Sequence, residues 1–394
     1  MATRIEILDS DLNFITKVTS PVPLNGKSGA ILQYSKELSD FGQCKFRISN
    51  YDPAFGSFGD ITKPHSFHVR INRNGTYVWQ GAIIENSMRT KDFTEVVAVE
   101  YLWYLGKILI NRTSNNPATN LADGVYRIFS SGTMASAVTT LMTETIARYA
   151  STNHALASLS LGTIENPNYP PNITDGNGKA LTGGWNFGNG TTAPQLTFDF
   201  HSVLYVLQQF GAYTFADFNI DSNLQFNFKK FLGNDSHYNV NFVWGQQGNT
   251  YDFNITRLGQ RQVNDLWGIA VNNSGAVLHE EQTDQTSIKT NGILEGVAAY
   301  ADIKDQGTLN ARTQAELPLI STVDASADTF VLTEEAYPLG LYDIGDIISA
   351  KVNHTALTYN EIKRIVGISV SLHDTGRELT TVQLNTPLPW QYGA

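Results

Sequence analysis

The sequence predicts a β-rich α+β chain in which strand regions at the two ends flank α+β middle segments. Three observations carry this reading. Tyr (17), Phe (20), Trp (6) and Gly (32) are abundant in a chain that is also rich in Asn, a mixture that suits pleated surfaces joined by turns. Both ends alternate apolar and polar residues with the two-residue period of half-buried strands, whereas parts of the middle switch to three- and four-residue steps. A Gly-Asp-Ile triplet opens comparable strand patterns near each end, at Gly59 and at Gly345.

From Arg4 to Asn111 the alternation runs through Ile5 and Ile7, Lys45-Phe-Arg-Ile-Ser, His68-Val-Arg-Ile-Asn, Tyr77-Val-Trp and Glu95-Val-Val-Ala-Val-Glu-Tyr. Asn74-Gly75 between two of these runs is the signal of a two-residue hairpin turn. Met134, Val138, Leu141, Met142 and Ile146 then predict a helix from Thr133, its cap, to about Tyr149. Residues 165–194 hold Pro, Asn and Gly throughout and no sustained period, which predicts a long exposed excursion. Val203, Leu204, Leu207 and Phe210 predict a second helix over Asp199–Phe210, stopped by Gly211. Strands are expected at Phe215–Ile220, Leu224–Phe228, Asp252–Thr256 and Leu266–Val271. A weak helical patch follows at Gly292–Ile303, then a helix at Thr308–Leu317 stopped by Pro318. Strand patterns return at Thr329–Leu332, Asp346–Val352, Ile362–Val370 and Glu378–Leu384. The expected units are residues 1–110, 111–255, 256–318 and 319–394.

The two β ends resemble one another. In each, Gly-Asp opens a strand, a hairpin strand follows (Tyr77 to Ile84; Tyr359 to Ile368), and a third strand is centred on Val97 or Val382. Both intervals from Gly-Asp to the third strand are close to about 38 residues, as duplicated units would give.

Composition excludes several functions. A net charge of −10 is unsuited to binding nucleic acid through bulk charge. Cys44 is the single cysteine, so no intramolecular disulfide or multi-cysteine metal site is expected. The opening residues carry carboxylates where a signal peptide needs an apolar stretch, and no apolar run reaches the ~20 residues of a membrane span, so no membrane anchor is expected.

The search for chemistry yields no catalytic, cofactor or metal residues. His-Glu-x-x-His, Gly-x-Ser-x-Gly and Cys-x-x-Cys are absent from the sequence. Asn25-Gly-Lys-Ser resembles the end of a phosphate loop, but Pro21 stands where its first glycine belongs. His65 and His68, three apart in an alternating segment, are expected on opposite faces. Asp175-Gly-Asn-Gly lacks the later ligands of a calcium loop. Adjacent carboxylates such as Glu280-Glu281 and Glu334-Glu335 read as solvated faces. Tyr169, Trp185 and Phe187 could present stacking platforms to a surface receptor or glycan from the 165–194 excursion, or could instead pin that excursion onto its own domain.

Several segments, in order, resemble tail hub proteins of long-tailed bacteriophages: Ile5-Glu-Ile-Leu-Asp-Ser-Asp-Leu-Asn-Phe, Tyr34 to Ile48, Gly81-Ala-Ile-Ile-Glu-Asn and Val99 to Thr113. Further on come Leu204 to Phe210 with Phe215, Asn249 to Thr256, Val263-Asn-Asp-Leu-Trp-Gly, Leu341-Tyr-Asp-Ile-Gly-Asp-Ile-Ile and Arg364-Ile-Val-Gly-Ile. Each piece is a loose pattern, and the strength lies in the order. The resemblance implies two tail-tube-like β-barrel domains per chain, three chains alternating them into a pseudo-six-fold ring, and a virion protein made in the host bacterial cytoplasm. It further implies a distal tail protein ring, a tape measure protein and tip or receptor-binding proteins as partners, with DNA only in transit and no cofactor. Some relatives add a C-terminal cell-wall-cleaving domain, for which this sequence leaves no room after its last strand. The leading expectation is a structural, non-enzymatic hub. The alternative is a host-surface or glycan-binding tail module, and behind it a cell-wall hydrolase.

Overall fold

The computed structural model describes residues 3–24, 29–88, 91–110, 126–129, 131–150, 152, 154–168, 184–187, 196–199, 201–245, 248–255, 259, 262–272, 274–301, 303–321, 328–333, 338–354 and 357–387. The N-terminal region folds as β1 (Thr3–Leu8), β2 (Phe14–Lys17), β3 (Pro21–Val22), β4 (Ala30–Glu37), β5 (Gln43–Ser49), α1 (Pro53–Phe58), β6 (His68–Arg73), β7 (Thr76–Met88), β8 (Phe93–Val99) and the single turn α2 (Leu102–Leu105). Alternation governs it as expected: Cys44, Phe46 and Ile48 of β5 face the core while Lys45 and Arg47 face out. Asn74 and Gly75, both at positive φ, make the tight turn from β6 to β7.

The middle begins with β9 (Tyr126–Phe129), β10 (Gly132–Thr133) and α3 (Met134–Tyr149), then β11 (Ser160–Ile164), β12 (Asn186–Phe187) and β13 (Leu196–Asp199). It continues with α4 (Val203–Thr214), β14 (Asp217–Ile220) and β15 (Gln225–Lys229). Thr133 caps α3 by accepting the Ser136 N–H. The second helix departs from its expected limits. Asp199 ends β13, Ser202 caps the helix, and α4 passes through Gly211 to stop at Phe215 in the left-handed conformation. Gly211 is there for closeness, since a Cβ would lie 2.8 Å from the Ala216 carbonyl oxygen of the returning chain.

Next come β16 (Asn241–Trp244), β17 (Thr250–Asn254), β18 (Asp265–Val271), β19 (Val277–Thr283), α5 (Gln285–Asn291), β20 (Glu295–Tyr300) and α6 (Gln306–Ile320). The helical patch expected at Gly292–Ile303 is mainly β20, because pairing parallel to β18 outweighs the weak local helical tendency. α6 also runs past Pro318, and the Ser321 N–H closes its end on the Leu317 carbonyl. The C-terminal region is β21 (Asp328–Thr333), β22 (Ile347–His354), β23 (Leu357–His373) and β24 (Glu378–Asn385).

Both ends join one 14-stranded sheet, in the order β17-β21-β24-β23-β4-β5-β8-β7-β6-β1-β2, with β22 and β16 branching from β23 and β3 from β5. The duplication is visible in this order. In β5-β8-β7-β6 and in β21-β24-β23-β22 the first strand pairs with the fourth, the fourth with the third and the third with the second. In each unit the long third strand changes partner half-way. β7 leaves β6 for β8 at Ala82, with a bulge between Ile83 and Glu85. β23 leaves β22 for β24 at Arg364, with a bulge between Ile365 and Gly367. The Gly-Asp marks are less alike than expected: Gly345-Asp346 leads directly into β22, whereas Gly59-Asp60 leads into turns and β6 starts only at His68.

Two large apolar cores form among the described residues. Ile7, Phe46 and Val96 of the first unit and Phe330, Val352 and Val382 of the second share one core. Leu141, Phe210, Phe218 and Phe226 anchor the other in the middle. Although β16 and β17 precede residue 256, they pair with β22 and β21 and so complete the C-terminal unit. Two buried ion pairs cross these boundaries: Arg73 of β6 meets Glu378 of β24 at 2.9 Å, and Arg364 of β23 meets Asp217 of β14.

Candidate functional site

Two aromatic residues of the excursion, Trp185 and Phe187, lie inside the fold. Trp185 is 1% exposed and Phe187 4%. β10 and β12 pair Gly132 with Phe187 and Thr133 with Asn186. The Trp185 N–H donates to the Pro167 carbonyl, and its own carbonyl accepts from Met134. The Trp185 ring stands 6.4 Å from that of Tyr213, and the Phe187 ring about 6 Å from those of Phe129 and Phe210. Of the two sequence alternatives, the burial of these two residues favours pinning onto their own part of the fold over a stacking platform. Tyr169 lies outside the described residues, as do Asp175-Gly-Asn-Gly and most of 165–194.

The histidines also differ from the alternation argument. His65 precedes β6 in a left-handed turn (φ 60°), so period-two alternation does not apply to it. Its Nδ1 lies 2.9 Å from the Tyr104 hydroxyl, and His68 Nδ1 lies 3.2 Å from that of Tyr101. Both histidines thus meet tyrosines at α2. The His154 ring closes the cluster, 5.6 Å from His68 and 4.5 Å from Tyr104. Burial, helped by the neighbouring His154, pushes His68 down to about 4, so it is neutral near pH 7. Among the described residues no group of three His, Cys, Asp or Glu side chains is placed to hold a metal ion. Cys44 is buried, and burial pushes its thiol well above the ordinary range.

A cleft of 280 Å³ opens where β4, β7, α2, β14 and the segment before β22 meet. Its walls carry Glu37, Asp40, Glu100, Asp221 and Asp343 against Lys36. Lys36 Nζ reaches Asp343 at 3.2 Å, and Glu100 Oε2 accepts the Gly42 N–H at 2.7 Å. Burial pushes Glu100 up to about 7. The cleft therefore supplies an acidic surface and a carboxyl that titrates near neutrality. The sequence reading missed Glu100, although one carboxylate inside Val96-Val-Ala-Val-Glu-Tyr-Leu-Trp was its available signal.

No protein-family model and no curated protein matches the chain. Solved structures do. The 43 kDa tail protein of prophage MuSo2 from Shewanella oneidensis aligns with a TM-score of 0.60 at 9% identity, over 98% of both chains. The tail protein from Neisseria meningitidis MC58 gives 0.60 at 10% identity, over 99% of this chain and 98% of its own. This is the fold of phage tail proteins. Prophage tail protein gp18 from Listeria monocytogenes EGD-e shares it at a TM-score of 0.55 and 12% identity, over 98% of this chain and 95% of its own. The likeness covers nearly the whole length of each of these tail proteins.

Proposed function

We propose that this chain is a structural, non-enzymatic tail protein of a phage or prophage, and that it forms the hub at the distal tip of the tail. The observation that carries the reading is the repeated strand order, β5-β8-β7-β6 and β21-β24-β23-β22, in a chain with the tail-protein fold. Two like units per chain and three chains give six near-equivalent positions, which lets a three-fold tip dock on a six-fold tube. In this reading each unit is a tail-tube-like barrel domain and the ring surrounds the channel through which DNA passes. A net charge of −10 suits such a conduit, since an acidic wall does not retain phosphates. The distal tail protein ring, the tape measure protein and tip or receptor-binding proteins are its neighbours in the virion tail.

The test is a cryo-EM reconstruction of the assembled particle. Three copies are expected, with the two β units alternating at one radius; six copies, or units at different radii, would sink the reading. Zymography on cell wall tests the non-enzymatic part. A cleared band lost on changing one carboxylate to its amide would overturn it.

A further inference from the structure

Among the described residues, α6 covers one face of the small sheet β19-β18-β20. On that face α6 lies across the strands: the Tyr300 hydroxyl donates to Glu316 at 2.9 Å, and Gln306 Nε2 donates to Glu280 at 3.1 Å. A strand half-covered in this way should turn polar residues to water on its other side. Here the other side holds half-buried Trp267 and Ile269 with Val271 of β18, Val277, His279 and Glu281 of β19, and Val297 and Ala299 of β20, aligned as Trp267↔Val297, Ile269↔Ala299 and Val271↔Val277, with His279 opposite Ile269. Val297 is 69% exposed, Val277 63% and Val271 45%. The charges at the Trp267 end of this face are acidic, with Glu281 opposite Trp267 and Glu295 opposite Asp265, while Lys304 donates to the Val271 carbonyl at the other end.

The opposite character occurs at the N-terminal end of the large sheet. A cleft of 290 Å³ beside β1–β4 is lined by Val18, Pro21, Ile31 and Leu372, and Arg4 and Lys17 stand at it. Both basic residues are exposed. β2, the last strand of the sheet path, also presents Phe14 at 56% exposure.

We propose that the open face of β18–β20 on one copy of the chain docks against the Arg4–Lys17 cleft and β2 of the next copy. Apolar surface meets an apolar cleft, and Glu281 and Glu295 meet Arg4 and Lys17. The two patches differ, so the contact is head-to-tail, the kind that closes into a ring when the rotation permits. The proposal rests on the homotrimer reading above and supplies its interface.

The experiment compares the full-length parent with Val297→Arg, with Glu281→Arg/Glu295→Arg, and with that pair combined with Arg4→Glu/Lys17→Glu. Sedimentation velocity across a concentration series reads self-association, circular dichroism reads folding, and a reconstruction of the parent's particle reads copy number and neighbours. Val297→Arg and the acidic-to-basic pair should each weaken association about tenfold or more, with the spectrum unchanged. The compensating quadruple variant should restore it. A trimeric parent whose variants associate equally well, or a particle in which β18–β20 lies away from the neighbour's β2, overturns this interface and leaves the trimer reading standing. A parent that never self-associates, in a particle with a copy number other than three, overturns both.

Discussion

Replacing Arg364 with Met should cost the fold about 3–5 kcal/mol, the range for breaking a buried ion pair by removing one partner. Arg364 and Asp217 are only 6% and 7% exposed at their side chains and lie 147 residues apart, so the pair ties β23 to β14 across the two cores. The guanidinium also donates through Nε to the Gly345 carbonyl at 3.1 Å and through Nη2 to the Leu232 carbonyl at 2.9 Å, and it lies 4.3 Å from the centre of the Phe231 ring. Methionine keeps much of the stem volume and none of these donors. Asp217 then keeps the Leu232 N–H, while burial already pushes its carboxyl up against the pull of Arg364. Urea unfolding followed by tryptophan fluorescence measures the loss, with Asp217→Asn and the double variant closing a cycle. The double variant should be less damaged than the sum of the singles, because no uncompensated charge remains in it. An R364M midpoint within about 1 kcal/mol of the parent, or strictly additive losses, would show that the pair does not couple the two cores.

Three other outcomes follow from the same geometry. Glu100 is raised from about 4.5 to about 7 by burial, so its ionisation opposes folding: the fold is favoured below the lower value, and that advantage is lost as pH rises through about 7. Glu100→Gln should therefore flatten the stability profile between these limits and be the more stable protein above them, by up to about 3 kcal/mol, the side chain being only partly exposed; an unchanged slope in pH-dependent denaturation would refute it. Trp185→Ala should lower stability by about 3–5 kcal/mol by opening a cavity beside Tyr213, and a near-neutral result in the same assay would return Trp185 to the surface. Gly345→Ala should destabilise by more than about 1 kcal/mol, because φ is +88° and the new Cβ would stand 2.1 Å from the Leu232 carbonyl oxygen; a thermal melt equal to the parent's would contradict the close approach.

What was legible in the sequence was what is local. β5 alternates because it buries one face, Asn74-Gly75 turns because both residues accept positive φ, and Thr133 caps α3 through its own hydroxyl. β20 was read as a helix because its apolar pattern is short and the parallel partner that makes it a strand lies 30 residues earlier. Gly211 was read as a helix stop because a glycine packed for a close approach looks the same in sequence as a glycine that ends a helix. The repeat was found through two Gly-Asp pairs that play different roles, yet the strands after them are equivalent. Trp185 sits among turn-forming residues, which point to solvent, and only the pairing of β10 with β12 explains its burial. The signal for Glu100 is a single carboxylate inside an apolar run, and the Arg364–Asp217 pair has none, since its character comes from burial and from partners distant in the chain.

Finally, β4 pairs with β23 from Glu37 opposite Gly367 to Ala30 opposite His373. On the ribosome, the edge of β4 that meets β23 has no native mate until β23, more than 300 residues later, has been made. Until then it offers unpaired amides and carbonyls, the usual template for wrong pairing. The thermodynamic penalty of closing so long a loop grows only slowly with its length, but the search is slow. A nascent chain of this kind has reason to hold β4 open, or shielded by a chaperone, until the β23–β24 hairpin emerges and closes the sheet.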